Sequence, residues 1–178
     1  RQRRRGTRMC STPPRVGADV RVHLSVEPSK LTDVPRRQLA TLERLGVPIR
    51  TSGGRIPDLE SAELIIDALI GYSLRGAPRG EAADLILQAN AAHVPILALD
   101  VRSGVDAGAG AVHGPAIRAR ATMTRALPKQ GLRGAAARKH VGELYLADIG
   151  VPPELYERPP LDLTAGLIFA RESVIRLW

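Results

Sequence analysis

The chain has 178 residues, 44% of them hydrophobic and only 3% aromatic, with a formal net charge of +8. That length is enough for one domain with a buried core, and the scarcity of aromatics means the core is built mostly of Ala, Leu, Ile and Val. Cys10 is the only cysteine, which excludes an internal disulfide, and no apolar run approaches the ~20 residues that a membrane span needs.

The charge is concentrated at one end. Residues 1–15 hold six arginines (Arg1, Arg3, Arg4, Arg5, Arg8 and Arg15) and no acid, which leaves 20 basic against 18 acidic residues, a net of +2, for the rest of the chain. A basic segment of this kind can bind polyanions without sequence preference, but a nearly neutral body is not that of a nucleic-acid-binding domain. Residues 1–16 have no helix or strand periodicity and are expected to be disordered or divergent. Their arginines are not followed by the apolar stretch of a secretory signal. The lone cysteine fits a reducing compartment, and the expected location is the cytoplasm.

From residue 18 the pattern becomes regular. Ala18–Ser25 alternates apolar and polar residues and reads as a strand. Val34–Leu45 carries Leu39, Leu42 and Leu45 at helical spacing, and Gly46 stops the helix. Val47–Thr51 reads as a short strand, and Ser52-Gly-Gly54 with Pro57 as a turn. Leu64–Ile70 is a buried strand, Gly80–Ala92 a helix, and Pro95–Val101 a second buried strand, the spacing of a β-α-β unit. Ala121–Leu127 is another strand, Gln130–Lys139 a loop or short helix, and Glu143–Ile149 a final strand ending at Gly150-Val-Pro-Pro153. Residues 158–178 have no clear pattern, although Leu167–Trp178 is compatible with a helix. Together these elements predict one α/β domain over residues 17–157, a Rossmann-like three-layer αβα sandwich with a mostly parallel sheet.

Two of the buried strands end in aspartate, each followed closely by glycine or serine. In an open α/β sheet, ligands bind beyond the carboxyl ends of the strands, so Asp67 and Asp100 are candidates to share one site. Each is also compatible with a plain turn-forming role. Gly71, Tyr72, Ser73, Leu74, Arg75, Gly76 and Ala77 form a short loop directly after the first of these strands. Its glycines let backbone amides approach an anion and Arg75 can neutralise phosphate, although a glycine-bearing strand-to-helix turn needs no ligand. Asp100 could act as a general acid or base or bind hydroxyls. The oxygens of Asp67 and Ser103 suit a hard cation, and Lys129, after Pro128 at a strand end, could bind phosphate or move a proton. The four histidines, His23, His93, His113 and His140, have no metal-ligand spacing, and there is no nucleophile elbow, no Walker A sequence and no G-x-G-x-x-G after a first strand.

Read together, Asp67-Ala68-Leu-Ile-Gly71, Asp100-Val-Arg102-Ser103-Gly104, Pro128-Lys129 and Gly142-Glu-Leu-Tyr-Leu-Ala-Asp148-Ile-Gly-Val-Pro152 resemble the motifs of the YjeF N-terminal domain family, the NAD(P)H-hydrate epimerases, over roughly residues 17–157. The resemblance implies a Rossmann-like domain that interconverts the R and S epimers of hydrated NADH and NADPH (NADHX and NADPHX) in nicotinamide nucleotide repair. It implies a potassium ion, K+, at Asp67 and Ser103, a nucleotide site along Gly71 to Ala77, and Asp100 against the substrate, with Lys129 as a second catalytic candidate. The expected partner is therefore a small molecule, with no membrane, nucleic acid only through the basic segment, and a homodimer left open. A dehydratase activity, which the same domain accompanies in bifunctional relatives, is not expected of this chain.

Two departures set the alternative. The family's Asn/Gly-rich phosphate loop has no counterpart, since Asn90 is the only asparagine and Arg1 to Val16 stand where the first strand and that loop are expected. Arg102 stands where the family has proline, and without proline's fixed φ the turn carrying Asp100 and Ser103 is expected to be looser. The competing expectation is a catalytically inactive module of the same fold that serves as a binding scaffold for protein or RNA. A different nucleotide-binding Rossmann enzyme fits the strands but not the order of the motifs.

Overall fold

The computed structural model describes residues 17–51, 56, 59–71, 74 and 76–178. Its strands and helices run β1 (Val22–His23), α1 (Asp33–Arg44), β2 (Ile49–Arg50), β3 (Ile65–Asp67), α2 (Glu81–Ala91), β4 (Ile96–Leu99), β5 (Ala121–Arg125), α3 (Ala135–Val141), β6 (Glu143–Ala147) and β7 (Val174–Arg176). A 3₁₀ turn at Gln130–Arg133 leads into α3. Every strand and helix predicted between residues 18 and 149 is present, each strand shorter than its apolar run.

The main sheet has the order β3-β4-β5-β6-β7, and β1 pairs with β2 in a separate two-stranded sheet. All pairs are parallel except β6 with β7. This is a mixed α/β, Rossmann-like architecture. The strand that the family resemblance implies ahead of β1 would fall among residues 1–16, which lie outside the described residues.

Register explains which face is covered. Asp67 pairs with Ala98, Ala98 with Thr122, and Thr122 with Leu144, so these side chains share one face. That face is dry. Ile86 and Ala89 of α2 close over Ile96 and Ala98, while Val141 of α3 joins Leu144, Val101 and Leu132 in a neighbouring cluster. Burial of such side chains contributes roughly 1.5–3 kcal/mol each and supplies the main driving force for this layer. Thr122, wholly buried among them, donates its hydroxyl to the Val141 carbonyl at 2.8 Å. On the opposite face Leu97, Leu99, Ala121 and Met123 are only half-buried, and no described helix covers them. Helix α1 packs its buried Leu39 and Leu42 on Val22 and Leu24 in a third cluster.

The C-terminal residues differ from the helical reading of Leu167–Trp178. Val174–Arg176 is a strand, antiparallel to β6. The free edge of β6 offers a row of unpaired backbone groups, and the β-branched Val174 and Ile175 suit a pleated edge better than a helix. Trp178 then lies against the α3 cluster, with the Arg138 guanidinium 4.7 Å above its ring. Trp178→Ala is expected to cost roughly 2 kcal/mol, from lost apolar area and the cation–π contact. A thermal midpoint unchanged from the parent would show that the Trp178 contacts add nothing to the body.

Candidate functional site

Every described residue of the candidate site lies at the carboxyl edge of the main sheet. Asp67 is the last residue of β3, Asp100 follows β4, Arg125 ends β5, and Lys129 lies four residues further on. Parallel strands bring these ends side by side, because each crossover returns the chain to the opposite edge before the next strand begins.

Asp67 and Ser103 are in contact. The Ser103 hydroxyl donates to Asp67 Oδ1 at 2.6 Å, the Ser103 amide donates to Oδ2 at 2.8 Å, and the Leu69 amide donates to Oδ1 at 3.2 Å. Ser103 Oγ in turn accepts from the Ile70 amide at 2.9 Å, which ties the start of the Gly71 loop to the β4 turn. Asp67 is 3% exposed and Ser103 fully buried. Burial pushes the Asp67 carboxyl above its ordinary range, while the Ser103 and Leu69 hydrogen bonds and the Arg102 charge pull it back.

Asp100 is an ion-pair centre. Lys129 Nζ is 2.7 Å from its Oδ1 and Arg125 Nη2 3.3 Å from its Oδ2, and Lys129 also donates to the Arg125 carbonyl at 2.7 Å. Burial acts to raise the Asp100 pKa, but the two cations outweigh it and hold the carboxyl below the usual range. The backbone of Asp100 is left-handed, φ 70°, a conformation that aspartate tolerates better than most residues. Its amide donates to the Met123 carbonyl at 2.7 Å, so the sheet itself anchors the residue.

The turn between them is not loose. Arg102 is fully buried, and its Nη2 donates to the Ala137 carbonyl of α3 at 3.2 Å. The Val105 amide reaches the Arg102 carbonyl and the Ile117 amide the Ser103 carbonyl, at 3.3 and 2.9 Å. One local turn bond and two tertiary bonds, to Ala137 and Ile117, thus hold the turn without proline. Arg102 Nε and Nη1 and Arg125 Nε are buried without a hydrogen-bond partner. Burial lowers the Arg102 pKa to about 10, the Asp67 charge opposing the shift, so the guanidinium stays protonated at neutral pH.

Of the predicted loop, Gly71, Leu74, Gly76 and Ala77 follow β3 on the same edge, and the Leu74 amide donates to the Gly71 carbonyl at 3.3 Å. Gly76 has φ +72°. Tyr72, Ser73 and Arg75 lie outside the described residues, as do the basic residues 1–16. Asn90, the only asparagine, bridges α2 to the loop before β5, donating to the Ala116 carbonyl and accepting from the Arg118 amide, both at 2.9 Å. Its place is structural. Sequence reasoning misses Arg125, although a basic residue ending the strand beside that of Asp100 is a readable signal.

A family model described as "YjeF-related protein N-terminus" matches residues 15–131. The chain is 43% identical over 136 residues to an NAD(P)H-hydrate epimerase of Dehalogenimonas lykanthroporepellens, covering 74% of this chain and 51% of that protein. It is 35% identical over 135 residues to an NAD(P)H-hydrate epimerase of Levilactobacillus brevis, covering 76% of this chain and 61% of that protein. It is also 34% identical to a bifunctional NAD(P)H-hydrate repair enzyme of Moorella thermoacetica, over 78% of this chain and 27% of that one. The chain thus spans between about half and three-fifths of the length of the two epimerases. The crystal structure of yeast YNL200c superposes with a TM-score of 0.64 at 18% identity, over 83% of this chain and 62% of that one, a likeness of fold.

Proposed function

We propose that this chain, which belongs to the YjeF-related N-terminal family, is an isomerase that interconverts the R and S epimers of hydrated NADH and NADPH. The observation that carries the reading is the Lys129–Asp100–Arg125 cluster, set on the carboxyl edge of the sheet beside Asp67 and Ser103.

The epimerised carbon bears both a hydroxyl and the ring nitrogen. Loss of water leaves an iminium, and return of water to the other face completes the inversion. The first step needs an acid. Asp100, kept ionised by its two cations, cannot supply that proton at neutral pH, which narrows its part to base and counter-charge. The Lys129 ammonium, 2.7 Å from Asp100, donates to the departing hydroxyl. The Asp100 carboxylate offsets the iminium charge, accepts a proton from the returning water and passes it back to Lys129. The proposed contact for the nucleotide is the Gly71 to Ala77 segment.

As they stand, Asp67 and Ser103 leave a potassium ion about one free carboxylate lone pair and one hydroxyl lone pair. Three of the roughly four lone-pair positions of the carboxylate are taken by hydrogen bonds, and Ser103 Oγ both donates and accepts within the same network. A hard cation takes several oxygens at once, so Asp67 and Ser103 would hold it only together with further oxygen ligands. No step of the reaction runs through the ion.

The direct test starts from one epimer of hydrated NADPH and follows the appearance of the other by chromatography. Equilibration well above the spontaneous rate is expected; a folded chain that leaves the epimer at the background rate sinks the reading. The pH profile provides a second test. The active form of Asp100 is the carboxylate, which is present above its lowered pKa, so the acid limb of kcat/KM is expected below the ordinary carboxylate range. Arg125→Met removes one of the two cations and is expected to move that limb upward. A limb that stays in place would remove Arg125 from the site.

A further inference from the structure

The amino edge of the main sheet, opposite the candidate site, carries charge that the epimerisation does not use. Between Asp106 and Glu143 the chain has seven lysines and arginines and no acid. Arg125 and Lys129 meet Asp100, and Arg138 lies over Trp178. Arg118 and Arg120, just ahead of β5, are both exposed and have no ion pair among the described residues.

Their places are fixed by the fold. The Arg118 amide donates to Asn90 Oδ1 of α2 at 2.9 Å, and the Arg120 amide donates to the Ile96 carbonyl of β4 at 2.9 Å. The Arg120 carbonyl accepts from the Glu143 amide at 3.1 Å, and Ala119 between the two arginines is buried. The Glu143 side chain does not neutralise them, since it accepts the Tyr145 hydroxyl and pairs with Arg176 at 3.5 Å. Like charges fixed close together repel, and an anion placed between them removes that cost.

Both arginines line an open cavity of about 400 Å³, together with Asn90, His93, Val94 and Pro95, and no carboxylate is among its described lining residues. That volume is in the range of small-ligand sites. Asn90 is committed to the Ala116 carbonyl and the Arg118 amide, so polar recognition falls to the arginines and His93. Val94 and Pro95 offer apolar surface on which a flat ring can rest.

We propose that this cavity is a second ligand site, for a nucleoside monophosphate, with Arg118 and Arg120 on the phosphate and Val94 and Pro95 against the base. Guanidinium forks match phosphate oxygens two at a time, and the apolar wall separates such a ligand from bare phosphate. The length of β5, roughly 17 Å, lies between Arg120 and the Asp100 cluster, so one monophosphate does not span both sites.

Isothermal titration of the full chain with AMP, inorganic phosphate and adenosine at low ionic strength tests the proposal. AMP is expected to bind saturably, at least tenfold more tightly than phosphate or adenosine. Variants locate the binding, because the carboxyl edge is also proposed to take a nucleotide. Arg118→Gln combined with Arg120→Gln is expected to weaken AMP roughly 100-fold, about tenfold for each charge-assisted contact, while Lys129→Met leaves it unchanged. Both arginines are exposed, so the doubly altered chain is expected to keep the parent's thermal midpoint. Should it not fold, Arg118→Gln alone is expected to weaken AMP about tenfold. No AMP binding, AMP binding no tighter than that of phosphate, or AMP binding that survives the loss of both arginines overturns the proposal. Binding abolished by Lys129→Met overturns it too, as does an oligonucleotide that binds where AMP does not, which would identify a polyanion surface. None of these titrations reads turnover, so this site and the proposed epimerisation fail separately.

Discussion

Asp100→Asn is expected to lower epimerisation turnover by roughly 10²–10⁴-fold, the range that a positioned proton-transfer group contributes. Asparagine keeps the shape and can still hydrogen-bond, but it cannot take a proton from the returning water, and it no longer faces the iminium with a charge. It also leaves Lys129 and Arg125 without their common anion, at 2.7 and 3.3 Å. Stability should change with a definite sign. A carboxyl whose folded pKa is lowered stabilises the fold above its unfolded pKa, and that contribution disappears as pH falls through the lower, folded value. The parent chain should therefore be more stable than the variant at neutral pH, and the difference should shrink towards strongly acid pH. Turnover and denaturant midpoints measured across pH on the same preparations check both parts. Undiminished turnover in a folded Asp100→Asn chain would remove Asp100 from the chemistry, whatever happens to stability.

Much of this site is legible in the sequence because strand ends are legible. A short apolar run closed by aspartate places a carboxylate at the edge of a parallel sheet, and the β-α-β spacing puts two such ends next to each other. That reasoning reaches Asp67, Asp100 and, one strand further, Lys129. It does not reach the contact between Asp67 and Ser103, which are 36 residues apart and meet only because the β4 turn folds back over the end of β3. From sequence, Arg102 is a residue that loosens a turn, since arginine is almost never fully buried. The structure instead seats it beneath α3, and the turn is held by bonds to Ala137 and Ile117, partners that no local pattern announces. The last strand is hidden for a related reason. Ser173 to Trp178 has no strong period of its own, and what makes it a strand is the open edge of β6. Local propensity decides little where a tertiary partner is already in place.

Gly104→Ala is expected to damage both stability and the site. Gly104 has φ +97°, where an L side chain is strained, and a Cβ there would sit 2.5 Å from the Ala116 Cα and 2.6 Å from the Pro115 carbonyl oxygen. Both are backbone atoms held on either side by hydrogen bonds: His113 to the Gly104 carbonyl at 2.8 Å and Ile117 to the Ser103 carbonyl at 2.9 Å. Nothing in that contact can rotate away, so the two segments must separate. Strain and overpacking each cost roughly 1–3 kcal/mol, which gives an expected loss of about 3 kcal/mol or more. The displaced neighbour is Ser103, and with it the 2.6 Å and 2.8 Å bonds to Asp67. A shift of about 1 Å in a positioning element is enough to cost on the order of 10²-fold in rate. The expected result is a lowered unfolding midpoint together with a fall in kcat in the fraction that remains folded, measured at a temperature below the new midpoint. A folded Gly104→Ala chain with unchanged kcat would mean that the Asp67–Ser103 pair can move without consequence, and so that it organises the fold and not the reaction. Gly71 is the control for this argument. Its Cβ position is open, with no atom of the described residues beyond its chain neighbours within 4 Å, so Gly71→Ala should leave the midpoint nearly unchanged. Any effect it has on KM would then report the approach of the nucleotide to that loop, and not a disturbance of packing.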